Sequence, residues 1–457
     1  MSYLPYDVYA DRITNARTIT HYGKVTQVVG LVIEAAGPAV SIGRLCNIEN
    51  RDDGSKIKAE VVGFRDDRIL LMPLGSIQGI TPGAIVTSTS EQLRIPVGPE
   101  LVGRVLGGLG QPIDSNGPLI TRSFRSINVD PIPALERQRI KKPLRTGIKV
   151  VDLTCAVGKG QRMGIFAGSG VGKSIMLGMM ARGTSADVNV VALVGERGRE
   201  VREFIESDLG PEGMAKTVVV AVTSDQPSLI RIKGALVATT IAEFFRDQGK
   251  DVLLMMDSLT RIAMAQREIG IAIGEPPTTK GYTPSVFALL PRILERAGQT
   301  KKGSITGLYT VLVEGDDFNE PISDAVRSIL DGHVALSRRL AARNQYPAVD
   351  VLDSISRLMK EVCTEDELSK AGQVRELLSI YRENEDLINI GAYAKGSNAK
   401  IDEAISKVEP LEACFRQGIS ELADHQASLN QLNDILGGEK NKAVNDEEVQ
   451  VSSADLT

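Results

Sequence analysis

Between residues 23 and 88 apolar and polar positions alternate in short runs rich in Val and Ile, each closed by turn residues. A period of two with frequent breaks predicts strands rather than helices. The strands expected are 24–34, 45–48, 56–64 and 69–74, with turns at 50–54 and 65–67. Strands of that length and spacing predict a small β-barrel over 23–95. Residues 1–22 would form an arm or a short amphipathic helix ahead of it. A Pro- and Gly-dense connector follows, from 95 to 133.

From about 145 to 360 the pattern changes. Continuous apolar runs at 163–167, 188–194, 217–222, 252–256 and 307–313 alternate with stretches of helical period. Alternation of this kind predicts a mostly parallel sheet with helices on both faces, in a domain spanning 96–362 with its connector. Residues 363–437 read as a helical domain. Thr364-Glu-Asp-Glu367 has the form of a capping box for a helix reaching Tyr381, and Pro410 suits the first turn of another. Residues 438–457 are polar and aperiodic, a disordered tail by composition. The fold expected is multidomain α/β: barrel, nucleotide-binding sheet, helical C-terminal domain. No internal repeat is present.

Composition narrows the picture mainly by exclusion. A net charge of −5 over 457 residues gives no field that would hold the chain on nucleic acid or anionic lipid. Cys46, Cys155, Cys363 and Cys414 are far apart, and with three histidines they make no zinc pattern; they read as reduced thiols of a cytoplasmic protein. The N-terminus has no secretory pattern, and no run of 18 apolar residues occurs. Any work at the inner membrane would therefore come through recruitment by partners.

The chemistry is concentrated in Met163-Gly-Ile-Phe-Ala-Gly-Ser-Gly-Val-Gly-Lys-Ser174. An apolar strand breaks into a glycine-rich turn and then a helix-forming segment, which aims backbone N–H groups and a helix N-terminus at a polyphosphate. Ala167, Gly168, Ser169, Gly170, Val171 and Gly172 form the loop. Lys173 would reach the β- and γ-phosphates of ATP, and the Ser174 hydroxyl would hold Mg²⁺. Ala167 stands where the pattern usually has Gly; the three loop glycines supply the flexibility instead. The second strand runs into Gly195-Glu-Arg-Gly-Arg-Glu200, which sets Glu196 beside the phosphates as a water-polarising base and Arg197 near the transferred group. Read locally, these two fit equally a solvated ion-pair cluster with Arg199, Glu200 and Arg202. The strand 252–256 ends in Asp257, a carboxylate suited to the magnesium shell.

Gly195-Glu-Arg-Gly-Arg-Glu, Met256-Asp-Ser-Leu-Thr-Arg-Ile-Ala-Met-Ala-Gln-Arg, Lys302-Gly-Ser-Ile-Thr306 and Tyr346-Pro-Ala-Val-Asp-Val-Leu-Asp-Ser-Ile-Ser-Arg357 resemble the catalytic subunits of rotary ATP synthases. Gly274-Glu-Pro-Pro-Thr-Thr-Lys-Gly-Tyr-Thr-Pro284, Phe204-Ile-Glu-Ser-Asp-Leu-Gly-Pro-Glu-Gly213 and Gly391-Ala-Tyr-Ala-Lys-Gly396 are similar to the type III export ATPases, with the flagellar branch favoured over the injectisome one. The resemblance implies Tyr346 stacked on adenine and Arg357 as an arginine finger in the neighbouring subunit's site. Locally, Tyr346 reads equally as a core aromatic and Arg357 as a surface arginine.

It further implies a homohexamer, a regulator at the N-terminal segment and a central coiled-coil stalk protein. Export chaperone–cargo complexes and a membrane export gate complete the expected partners. Non-catalytic rotary subunits typically carry Gln where Glu196 stands, which favours hydrolysis here. The acidic C-terminal signature of synthase catalytic subunits is absent. A ring motor on RNA would want a basic, aromatic barrel, whereas residues 23–95 hold Phe64 as their one aromatic. A nucleotide-gated scaffold without turnover is the third alternative.

Overall fold

The structure is a computed structural model that describes residues 21–437 apart from 52, 90 and 314–319. The expected arm, up to residue 20, and the tail lie outside the described residues. Six antiparallel strands, β1 (Tyr22–Val29), β2 (Val32–Ala36), β3 (Leu45–Glu49), β4 (Lys56–Arg65), β5 (Arg68–Pro73) and β6 (Ile85–Ser88), close a barrel in the order β1-β2-β5-β4-β3-β6. The single strand expected over 24–34 is instead a hairpin, because the chain turns at Gly30-Leu31 between Val29 and Val32. β6, absent from the expected strands, pairs with both β1 and β3 and closes the barrel.

Alternation along these strands serves two cores. Ile33, Ala35, Ile69 and Leu71 point into the barrel. Val32, Leu70 and Met72, on the opposite face of the same strands, pack against the nucleotide-binding domain. Each such fully buried aliphatic contributes about 2 kcal/mol. Between the two domains the Lys233 ammonium meets the Glu60 carboxylate at 2.6 Å, with both side chains less than a tenth exposed.

Two short antiparallel pairs lie outside the barrel and the main sheet: β7 (Arg94–Val97) with β9 (Ser123–Ser126), and β10 (Pro143–Leu144) with β11 (Val157–Gly158). The sheet itself contains β8 (Val105–Leu106), β12 (Arg162–Ala167), β13 (Val188–Glu196), β14 (Thr217–Thr223), β15 (Asp251–Asp257), β16 (Gly298–Gln299), β17 (Ser304–Leu312), β18 (Gly332–Leu336) and β19 (Val349–Ser356). Its order is β19-β18-β12-β17-β15-β13-β14-β8, parallel except for β19 and for β16, which pairs antiparallel with β17. Helices Ser228–Asp247, Leu259–Ile273 and Pro284–Leu294 pack into one apolar cluster. Helix Lys173–Gly183 belongs to the other, on the opposite face, together with the C-terminal helices.

Those helices are Glu365–Asn389, Ala399–Phe415 and His425–Leu436. The Thr364/Glu367 capping box forms, and its helix runs beyond Tyr381 to Asn389. Burial would raise the Glu367 carboxyl, but the Thr364 N–H and hydroxyl, His425 and Arg145 outweigh it and hold it down at about 2. Pro410 sits inside the second helix rather than in its first turn. The helix begins much earlier, at Asn398, whose side chain accepts from the Lys400 N–H.

Candidate active site

β12 has a fully buried apolar run up to Ala167, and the loop beyond it leaves the sheet at its carboxyl edge. Gly170 and Gly172 take the left-handed conformation, with φ of 79° and 85°, which lets the chain double back before the helix starts at Lys173. Loop and helix start form one wall of an open cleft of about 950 Å³, large enough for a nucleoside triphosphate. Val171 is the loop residue that faces inward, into the apolar cluster below.

Lys173 Nζ is ion-paired with Asp257 Oδ1, and the same oxygen accepts a 2.7 Å bond from the Thr310 hydroxyl. Glu196, the last residue of β13, lines the cleft opposite the loop. Burial first, then the negative charge of Asp257 and a hydrogen bond with Glu200, raise its carboxyl to about 7. Glu200 is held low by that same hydrogen bond. Arg197, just past β13, is exposed and lines the cleft. A carboxylate of near-neutral affinity for protons beside a phosphate-sized space is suited to taking a proton from water.

Tyr346 stands on the other side of the loop: a methyl group placed at Gly172 would lie 3.4 Å from its ring. The structure thus brings Lys173, Ser174, Glu196, Arg197 and Tyr346 to one cleft, with Asp257 behind Lys173. Arg357 is not among them. β19 runs antiparallel to β18, so Tyr346, before its start, is at the loop edge and Arg357, after its end, is at the opposite edge.

Four further cleft residues escape a reading of the sequence. Arg338 lies over Gly168, close enough that a methyl there would meet its guanidinium at 2.7 Å. Arg261 packs its stem on Gly195. Gln417 and Ile419 arrive from the C-terminal domain, where the Gln417 N–H donates to the Tyr346 carbonyl at 3.0 Å. Arg261 falls inside the Met256–Arg267 stretch without a role being given to it there, whereas no local pattern marks the other three, which tertiary packing alone carries to the site.

The oxygen donors are hard: the Ser174 hydroxyl and the Glu196 and Glu200 carboxylates line the cleft, and the Asp257 carboxylate sits behind Lys173. That chemistry fits Mg²⁺ brought in with a polyphosphate, which uses one or two protein oxygens and keeps its waters.

Fold and site together define a P-loop nucleoside-triphosphate-binding protein on a barrel–sheet–helix frame. Residues 147–356 match the ATP synthase alpha/beta family nucleotide-binding domain, 25–90 its beta-barrel domain, and 363–434 the T3SS EscN ATPase C-terminal domain. The chain is 54% identical over 433 residues to a Bacillus subtilis protein named flagellum-specific ATP synthase, covering 94% of this chain and 98% of that one. It is 50% identical to a Xanthomonas euvesicatoria type 3 secretion system ATPase, over 91% and 94% of the two chains. The assembled EscN ATPase of enteropathogenic E. coli, in complex with its central stalk EscO, superposes with a TM-score of 0.83 at 42% identity, covering 91% of this chain and all of that one. The chain belongs to the family of flagellum-specific and type III secretion ATPases.

Proposed function

We propose that this chain hydrolyses ATP, with Mg²⁺, to energise protein export by a flagellar type III apparatus, and that it works as a homohexameric ring. The observation that supports the ring most directly is the placement of Arg357: one chain carries a phosphate loop at one edge of its sheet and a candidate finger at the other. A head-to-tail cyclic arrangement sets each finger at the next subunit's loop.

In such a site Glu196 accepts a proton from the attacking water as its oxygen bonds the γ-phosphorus and the bond to the β-phosphate oxygen breaks, leaving ADP and phosphate. Lys173 and the loop amides hold the β- and γ-phosphates, Tyr346 stacks on the base, and Arg197 with the neighbour's Arg357 stabilises charge on the transferred group. Ser174, and Asp257 through water, would hold Mg²⁺, which would supply positive charge against the phosphates.

By likeness to the EscN–EscO complex, a coiled-coil stalk occupies the ring's centre. A regulator at the N-terminal segment, chaperone–cargo complexes and the membrane export gate are the remaining partners we propose. No described helix is long and apolar enough to cross a membrane, so attachment of the ATPase to the inner-membrane apparatus would run through those partners. Replacing Glu196 by Gln in the host's chromosomal copy tests the reading. Loss of swimming is expected. Retained swimming with loss of secreted virulence proteins would move the chain to the injectisome branch, which half-identity to the Xanthomonas ATPase keeps in play.

A further inference from the structure

At the finger edge of the sheet lies a connected set of charges that the proposed chemistry does not use. Asp331 immediately precedes β18, and Arg162 opens β12. The Asp331 carboxylate accepts from the Arg162 backbone N–H at 3.1 Å, from Nε at 3.0 Å and from Nη2 at 3.1 Å. The Asp331 N–H donates back to the Arg162 carbonyl at 2.9 Å. The remaining guanidinium nitrogen, Nη1, pairs with Glu295, which in turn binds Arg137 at 2.8 Å.

The other side of Asp331 faces the finger. Its carbonyl accepts from the Arg357 N–H at 3.0 Å and from Gln161 Nε2 at 3.1 Å; the same amide nitrogen donates to the Ser356 hydroxyl at 3.0 Å. Gly332 permits this approach: a Cβ there, at φ +153°, would lie 2.4 Å from the Ile355 carbonyl and 2.8 Å from Met163 Sδ. The Arg357 side chain itself is exposed and makes no ion pair among the described residues. Its backbone is thus pinned while its guanidinium is left out for a partner.

We propose that Asp331, clamped by Arg162, is a positioning residue for Arg357: it fixes where the finger leaves one subunit for the next subunit's site. This rests on the finger reading of Arg357. The geometry also gives the clamp a direction of action. Arg162 and Ala167 are the two ends of β12, so one strand joins the finger's anchor to the start of the same subunit's phosphate loop. A finger held to this strand is aligned with its own subunit's loop rather than with the surface turn in which it lies.

Positioning errors of about 1 Å cost on the order of 10²-fold in rate, so Asp331→Asn should lower turnover by up to that factor. The KM for ATP should stay within about two-fold, since every site keeps its own loop and Tyr346. Two readouts separate positioning from general damage. Adding Arg357→Ala to Asp331→Asn should cost nothing beyond Arg357→Ala alone. An equimolar mix of Asp331→Asn with Lys173→Ala should exceed the activity of either variant, because an intact loop meets an intact finger.

Additive losses in the double variant, or no recovery in that mix while Arg357→Ala with Lys173→Ala does recover, would overturn the proposal and leave the finger reading standing. No recovery in the Arg357→Ala mix would remove the finger reading and this proposal with it. If Asp331→Asn does not assemble, Arg162→Lys, which keeps the charge but not the fork, goes through the same mixes with the same expectations.

Discussion

Lys173 and Asp257 face each other behind the phosphate loop, the ammonium of one on the carboxylate of the other, with Thr310 fixing the acceptor oxygen. On the proposed function, nucleotide entry would give the lysine phosphate oxygens to bind and leave the carboxylate for the magnesium shell. Asp257→Asn keeps the shape and removes the charge. It should raise the Mg²⁺ concentration for half-maximal turnover by about 10–100-fold, the usual cost of a lost outer-sphere partner. A magnesium titration of ATPase activity reads this directly, and an unshifted midpoint would detach Asp257 from the metal.

As the base of the proposed reaction, Glu196 would set the pH dependence. Its carboxyl is raised to about 7, so in the free enzyme it is protonated below that pH and able to accept a proton above it. The kcat/KM for ATP should therefore rise with pH between about 6 and 8. Glu196→Gln should bind ATP while losing about 10²–10⁴-fold in turnover, and the rising limb should disappear with it. A profile whose limb survives the substitution would assign it to another group.

The barrel is fastened to the nucleotide-binding domain by the buried pair Lys233–Glu60. Removing one partner strands the other charge in an apolar interface, at a cost of about 3–5 kcal/mol. Lys233→Met alone should lower the unfolding midpoint markedly, and Lys233→Met with Glu60→Leu should recover most of the loss. Thermal melts of the two variants beside the wild type check it; equal losses in the single and double variants would show that the charge is not what matters there.

How far the sequence reaches follows from the range of each interaction. The phosphate loop, Glu196 at the end of β13 and Asp257 at the end of β15 are legible because strand, turn and chemistry are contiguous. The hairpin of β1 and β2 is not, since Val28-Val-Gly-Leu-Val32 is apolar throughout and hides its turn. β18 has only five residues and opens on Gly332 and His333, and β19 sets Asp350 and Asp353 among its apolar residues, so periodicity passes over them. Gln417 is set by packing between domains and Arg338 by packing over Gly168 within one, and no local spacing encodes either. Arg357 is legible only as a motif; the sheet topology adds that it lies at the edge away from its own subunit's loop.

On this reading each active site is completed by a second copy of the chain. Its most direct test is the steady-state ATPase activity of an equimolar mix of Lys173→Ala and Arg357→Ala, each nearly inactive alone. Activity in the mix well above either variant is expected, with wild-type specific activity that rises with protein concentration. No recovery in the mix, together with wild-type turnover independent of concentration, would contradict it.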